Sequence, residues 1–157
     1  MSIERVREYL AQRNADDRIM EFGRSTATVH EAAETLGVEP AMIAKTLSFR
    51  SKAGDGCVII VAAGDVSIDN HAFRDEFAVK PRMLTAEEAV KHTGHAVGGV
   101  CPFALPEGVP VYLDESLKRF DIVYPAAGSA ASAVRLTPEE LFELSGAVKW
   151  VNVGKSQ

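Results

Sequence analysis

Three short stretches hold the residues whose types and spacing could do chemistry: Lys45 in "IAKTLSF", the run Gly98, Gly99 and Cys101 in "GHAVGGVCPFAL", and Gly128-Ser129 in "AAGSAAS". Lys45 falls where a short helix should give way to a strand, with apolar residues on both sides. A half-buried lysine is costly unless its ammonium meets an anion. The plainer alternative is a stem that snorkels to water, and position alone favours it. Adjacent glycine amides can donate to a phosphate or an oxyanion. A bulge or hairpin turn is the simpler reading of Gly98-Gly99 taken alone. The pair is not part of a GxGxxG fingerprint, and no P-loop with Lys-Ser/Thr is present, so a Rossmann or Walker nucleotide site is poorly supported.

Cys101 could attack a substrate only with a nearby base and a depressed pKa. His92 and His95 are its neighbours in sequence, but Pro102 leaves no N–H behind it for an oxyanion. An inert, buried thiol is the favoured reading, and Cys57, at the head of "CVIIVAA", reads as core. His92-x-x-His95 spans a helix end and a glycine, which is poor ligand spacing. No CxxC or Cys/His cluster exists, so no metal and no cofactor are expected. His30 sits beside a capping-box pattern, where it either meets an anionic or carbonyl group at the helix N-terminus or faces solvent. The small-residue run around Gly128 and Ser129 is either a second pocket wall or a loop. It lacks the Gly-x-Ser-x-Gly of a serine hydrolase elbow.

The elements that must position these residues follow from periodicity and caps. Ile3, Val6 and Leu10 predict an amphipathic helix over residues 3–14. "RIMEF" (18–22) reads as a short strand. Thr28 and Glu31 open a helix that Gly37 ends, and Pro40 opens a second, shorter one. "KTLSFRS" and "CVIIVAA" (57–63) predict a hairpin with a buried second strand. A helix begins near Asp69, and another is capped by Thr85 and Glu88 and closed by Gly94. "VPVYLD" (109–114) is a strand whose Asp114 caps "ESLKRF". "DIVYPAAGS" and "SAVRL" are strands, Thr137, Pro138 and Glu140 open a last helix, and "AVKWVNV" is a last strand. Helices and strands intermix without a βαβ period. The expectation is one α+β domain over residues 1–157, with a mixed, strongly curved, barrel-like sheet packed by helices.

The chain's 157 residues suffice for one real core, and its 46% apolar and 25% charged content is that of an ordinary globular protein. A net charge of −5 argues against broad non-specific nucleic-acid binding, while leaving room for recognition of one RNA end. The charged, amphipathic "MSIERVREYL" predicts neither signal peptide nor membrane helix, so a cytoplasmic protein with no membrane partner and no disulfide is expected.

The order of motifs is more telling than any one of them. "TVHEAAETLGVEPAMIAKTLSF", "GGVCPFAL", "VPVYLDESL", "VYPAAGS" and "VRLTPEELFEL" succeed one another between Thr28 and Leu144. In this the chain resembles the YbaK/ProX family of aminoacyl-tRNA editing domains, also found inserted in bacterial prolyl-tRNA synthetases. The resemblance implies a trans-editing deacylase that hydrolyses the ester at the 3′ adenosine of a mischarged tRNA, removing a small amino acid from tRNA-Pro or a related tRNA. It places the family's essential lysine on Lys45 and its glycine loop on Gly98, Gly99 and Pro102. The small-residue loop falls on Gly128 and Ser129, the segment from Thr26 to His30, with Thr28, Val29 and His30, helps wall the amino-acid pocket, and Thr46 and Cys101 fall beside it. Cys101 stands where the resemblance associates serine with cysteine-editing members, which leaves Cys, Ala, Ser and Thr all open as the residue removed. The acidic balance predicts weak tRNA binding, or binding assisted by an aminoacyl-tRNA synthetase as second partner. The alternative is a non-catalytic module that holds a nucleotide, tRNA or synthetase in the same pocket.

Overall fold

The computed structural model describes residues 2–157. Helix α1 (Ser2–Ala11) turns Val6 and Leu10 inward, as the spacing predicts. Strand β1 (Ile19–Glu21) follows a 3-10 turn, and then α2 (Val29–Leu36) is capped by Thr28, whose side chain accepts from the Glu31 N–H. Only half of the expected capping box forms here. Glu31 turns its carboxylate to the hydroxyls of Ser25 and Thr28 and leaves the Thr28 N–H. Pro40 opens a single 3-10 turn that feeds β2 (Ile43–Arg50), and β3 (Cys57–Ala63) completes the expected hairpin in antiparallel register from Ala44↔Ala63 to Arg50↔Cys57.

Strand β4 (Val66–Ile68) and helices α3 (Asn70–Phe77) and α4 (Ala86–Thr93) come next, with Asp69 and Thr85 as their caps. Strand β5 (Val111–Asp114) runs into a 3-10 turn capped by Asp114, and β6 is only Tyr124–Pro125. Strand β7 (Ser132–Val134), α5 (Pro138–Ser145, a full capping box), β8 (Lys149–Val151) and β9 (Gly154–Ser156) end the chain.

Strands β6-β2-β3-β5-β8 form a five-stranded mixed sheet, while β1-β7 and β4-β9 form separate two-stranded ribbons. The architecture is therefore α+β in a single domain, as expected, but with β6 and β8 as free edges of the main sheet. The strand expected over "DIVYPAAGS" shrinks to two residues because Ala126 onward leaves the sheet to build a loop. The β4–β9 ribbon has no counterpart in the sequence reading.

Strand β3 explains the core. Ile59, Val61 and Ala63 face one cluster with Val6, Leu10 and Leu141 from α1 and α5. Ile60 faces the other side, with Phe49 and Phe73. Both faces are covered, which is why the strand reads as an unbroken apolar run. The Phe73 ring lies 5.0 Å from Phe49 and 4.7 Å from Phe77, and burying it stabilises the fold by roughly 1.5–3 kcal/mol. No helix among the described residues is long and apolar enough to cross a membrane.

Candidate active site

The site begins with a gap in a sheet edge. Along β2, alternate peptides point away from β3. At one end Ala44 meets β6, paired with Pro125. At the other end Ser48 accepts from the Leu84 N–H at 3.1 Å and Arg50 donates to the Arg82 carbonyl at 2.8 Å. The peptide of Thr46 lies between these two covers. A cavity of about 280 Å³ opens there, walled by Ala44, Lys45, Thr46 and Ser48 from β2, Met83 and Leu84 from the 82–84 strap that covers β2, and Val97 and Gly98 from the glycine loop. Thr28 and Val29 at the head of α2, with Thr26 and Ser132, close the far side.

Two polar groups at this cavity stand out. The Thr46 hydroxyl is buried without a hydrogen-bond partner, a condition that costs on the order of 1–3 kcal/mol until something fills it. Lys45 is half-buried, and its ammonium donates to the Val66 carbonyl. Burial lowers the Lys45 pKa below its ordinary 10.5, and the nearby Asp65 partly offsets this. Asp65 is itself held by Arg119 through two bonds of 3.0 and 2.5 Å, so it does not neutralise Lys45 alone.

The glycine loop is a tight turn: Gly99 donates its N–H to the Ala96 carbonyl at 2.9 Å. The expected pair of free amides is thereby narrowed to one, since Gly99 is occupied and the Gly98 N–H has no protein partner among the described residues. Gly98 has φ +94°, which L side chains rarely adopt. Gly99 serves a different need. A Cβ there would lie 2.8 Å from the Gly128 carbonyl carbon and 2.9 Å from the Ser129 nitrogen. The two loops that the sequence singled out thus meet backbone to backbone.

The sequence-derived candidates divide accordingly. Lys45, Thr46, Gly98, Thr28 and Val29 line the cavity. Gly99, Gly128 and Ser129 form the junction behind it, where the Ser129 hydroxyl donates to Ser132 Oγ at 2.9 Å. His30 points outward with its side chain 87% exposed, 3.8 Å from Glu34. Pro102 is buried. Cys101 is fully enclosed in the main core, and burial pushes its thiol up to about 12. A thiol in that state is not a nucleophile at neutral pH. No group of three or more metal-ligating side chains exists among the described residues.

Thr26, at the head of the segment expected to wall the pocket, lines the cavity, whereas sequence reasoning missed its partner Ser132, which meets it through bonds of 3.0 Å in both directions and has no local signature. It also missed a second groove, of about 330 Å³, at the far end of β2. Arg50, Lys52, Lys80 and Arg82 line it without a carboxylate among the lining residues. Arg50 pairs with Glu88 at 2.7 Å, and the other three make no ion pair among the described residues. The signal was available as "RSK" and "KPR", two basic triplets in an acidic chain.

Comparison with known proteins bears on the fold and the family. The uncharacterized protein YwhH of Bacillus subtilis (strain 168) is 51% identical over 155 residues, covering 99% of this chain and 98% of that protein. A crystal structure described as "a putative trans-editing enzyme for prolyl tRNA synthetase" superposes with a TM-score of 0.88 at 31% identity, over 99% of this chain and 98% of that one. The hypothetical protein APE2540 superposes with a TM-score of 0.85 at 32% identity, over 96% and 99% of the two chains. Residues 24–144 match the aminoacyl-tRNA editing domain, and the chain belongs to that family.

Proposed function

We propose that this protein is a trans-editing deacylase that hydrolyses the ester between a small amino acid and the 3′ adenosine of a mischarged tRNA, tRNA-Pro or a related one. One observation carries the reading: among the described residues Lys45 is the single charged one lining the cavity, and no Cys, His, Asp or Glu lines it. Such a site offers no thiol, imidazole or carboxylate among its described residues to serve as nucleophile or general base. It suits a bond that is already activated, as an aminoacyl ester is, where positioning and oriented donors suffice. Water, or the substrate's own neighbouring hydroxyl or thiol, attacks the acyl carbon. In the hydrolytic step the acyl–oxygen bond breaks, water's hydroxyl stays on the acyl carbon, and its proton goes to the ribose oxygen. Lys45 and the Gly98 N–H stabilise charge on the carbonyl oxygen, and Thr46 offers a hydroxyl to the substrate's polar end. The cavity volume sits at the small end of ligand pockets, which suits a small aminoacyl group and excludes large ones.

The basic groove extends the same reading to the rest of the tRNA. Arg50 stands five residues along β2 from Lys45, about 17 Å at the rise of a strand. A strand whose terminal ester sits at Lys45 can lay upstream phosphates against Lys52, Lys80 and Arg82. Three unpaired cations on a chain of net charge −5 support local, modest tRNA affinity and a synthetase partner that supplies the remainder.

The test is a panel of tRNAs charged with Ala, Ser, Cys, Thr and Pro, assayed for ester loss above the spontaneous rate. Loss of one or more small residues from tRNA-Pro is expected. Saturable tRNA binding with no ester loss anywhere on the panel would overturn the deacylase reading in favour of a binding module.

A further inference from the structure

The first turn of α1 grips the loop that carries Gly98 and Gly99, through a buried histidine that the cavity chemistry does not use. His95 is fully enclosed. Its Nε2 lies 2.8 Å from the Phe103 carbonyl oxygen, which can only accept, so Nε2 carries the ring proton. Nδ1 is then the acceptor, and it receives the Ser2 hydroxyl. Both ring nitrogens are satisfied with the ring neutral. Burial, the largest influence on this group, favours the neutral form as well.

The chord from His95 to Phe103 closes the loop at its base. Further contacts tie that base to its surroundings. Arg5 donates to the Gly94 carbonyl. The His95 N–H donates to the Thr93 hydroxyl at 3.0 Å, and that hydroxyl donates to the Ala89 carbonyl of α4 at 2.6 Å. Ser2 also touches the second loop, since a Cβ on Gly128 would come within 2.9 Å of the Ser2 Oγ. Directly after the anchored carbonyl, Ala104 holds φ +54°, a left-handed conformation that a residue with a Cβ keeps only where its surroundings over-determine it.

We propose that His95, with Ser2, is a positioning residue for the editing site: the pair fixes the glycine loop, and thereby the Gly98 N–H, at the cavity wall. Neither residue lines the cavity, so each reaches the chemistry only through the loop. The catalytic part of this proposal rests on the deacylase reading above, whereas the loop-fixing part does not.

Three variants and two readouts test it. His95→Leu removes the ring's bonds to Ser2 and Phe103, and its 3.5 Å contact with the Cys101 sulfur, with little change of buried volume. His95→Gln restores a side-chain N–H toward Phe103, and Ser2→Ala removes the other bond alone. Hydrogen exchange over residues 96–101 should speed at least tenfold in His95→Leu, by less in Ser2→Ala, and return toward wild type in His95→Gln. On a tRNA that the wild type deacylates, kcat should fall at least tenfold in His95→Leu with KM within about twofold, and recover in His95→Gln. Adding Ser2→Ala to His95→Leu should cost less than Ser2→Ala costs alone, because the bond from Ser2 acts through the ring. Should His95→Leu fail to fold, Ser2→Ala carries both readouts. Unchanged exchange in the folded variants overturns the clamp, as does faster exchange spread evenly over the whole chain. Looser exchange with unchanged kcat overturns the positioning role. Looser exchange in a protein that deacylates nothing upholds the clamp and removes the deacylase reading instead.

Discussion

Replacing Lys45 with Met should separate activity from stability. Methionine keeps a long unbranched stem and removes the charge. The folded protein loses the hydrogen bond from the ammonium to the Val66 carbonyl. It also sheds the burial that already depresses this lysine's pKa. The two effects have opposite signs, and Asp65 keeps its paired bonds to Arg119 in either case. The net change in stability should stay within about 1 kcal/mol, a shift of roughly 2–4 °C in Tm for a domain of this size. Activity has no such offset. A charged donor aimed at a developing oxyanion is worth about 2.7–4 kcal/mol, so kcat should fall roughly 10²–10³-fold. Single-turnover ester loss beside a thermal melt reads both quantities. The wild-type rate, corrected for spontaneous hydrolysis, should also decline as pH rises through a lysine pKa below the ordinary 10.5, since the protonated form is the active one. A well-folded Lys45→Met protein with kcat within tenfold of wild type would refute the reasoning, because nothing else charged lines the cavity.

Three further expectations can be checked with standard measurements. Gly99→Ala places a Cβ under 3 Å from the backbone of Gly128 and Ser129, where no side chain can swing aside, and should destabilise by about 1–3 kcal/mol in a denaturant melt. Arg82→Ala leaves the fold intact and should lower tRNA affinity alike for different sequences, reducing the slope of log K against log salt by about 0.7–0.9. Glu140 is held down from 4.5 to about 2, first by Arg18 and then by the Thr137 N–H. The stability it adds is complete above the unfolded value and is lost as pH falls from about 4.5 toward 2, so Glu140→Gln, which keeps an acceptor for the cap, should melt with a flatter acid dependence across that window.

Local chemistry was legible in the sequence wherever one short segment decides the outcome. Thr85 with Glu88 and Thr137 with Glu140 form full capping boxes, and Gly94 and Gly146 end their helices in the left-handed conformation. The hairpin of β2 and β3 followed from alternation and a buried run. Where the outcome depends on partners far along the chain, the sequence was silent. Strand β4 is three residues long and exists only because Gly154–Ser156 returns to pair with it. "DIVYPAAGS" has strand composition, yet its small residues serve the close approach of Gly128 to Gly99 and Ser2. The same limit applies to the site. Lys45 and the glycine pair could be named from type and spacing. That Gly99 spends its amide on Ala96, that Cys101 lies in the core and that Thr46 is left without a partner are facts of three-dimensional packing.

The arrangement of β2 accounts for how the proposed editing site could work without a catalytic triad. A sheet edge normally demands cover for every outward peptide. Strand β2 receives that cover from β6 at Ala44 and from the 82–84 strap at Ser48 and Arg50, and nothing covers Thr46. Among the described residues, the interruption leaves an uncovered peptide edge and the unpartnered Thr46 hydroxyl at the wall of a cavity whose only charge is Lys45. A ligand with a carbonyl, an amine and an ester oxygen answers those groups, and a purely apolar one leaves them unsatisfied. Selection by such a site works through what it refuses to leave unpaired and through what its small volume excludes, and both act on the substrate before any bond is broken. In the proposed reaction the strand would supply the recognising atoms, the glycine loop would set their distance, and the reactivity would be carried by the ester itself.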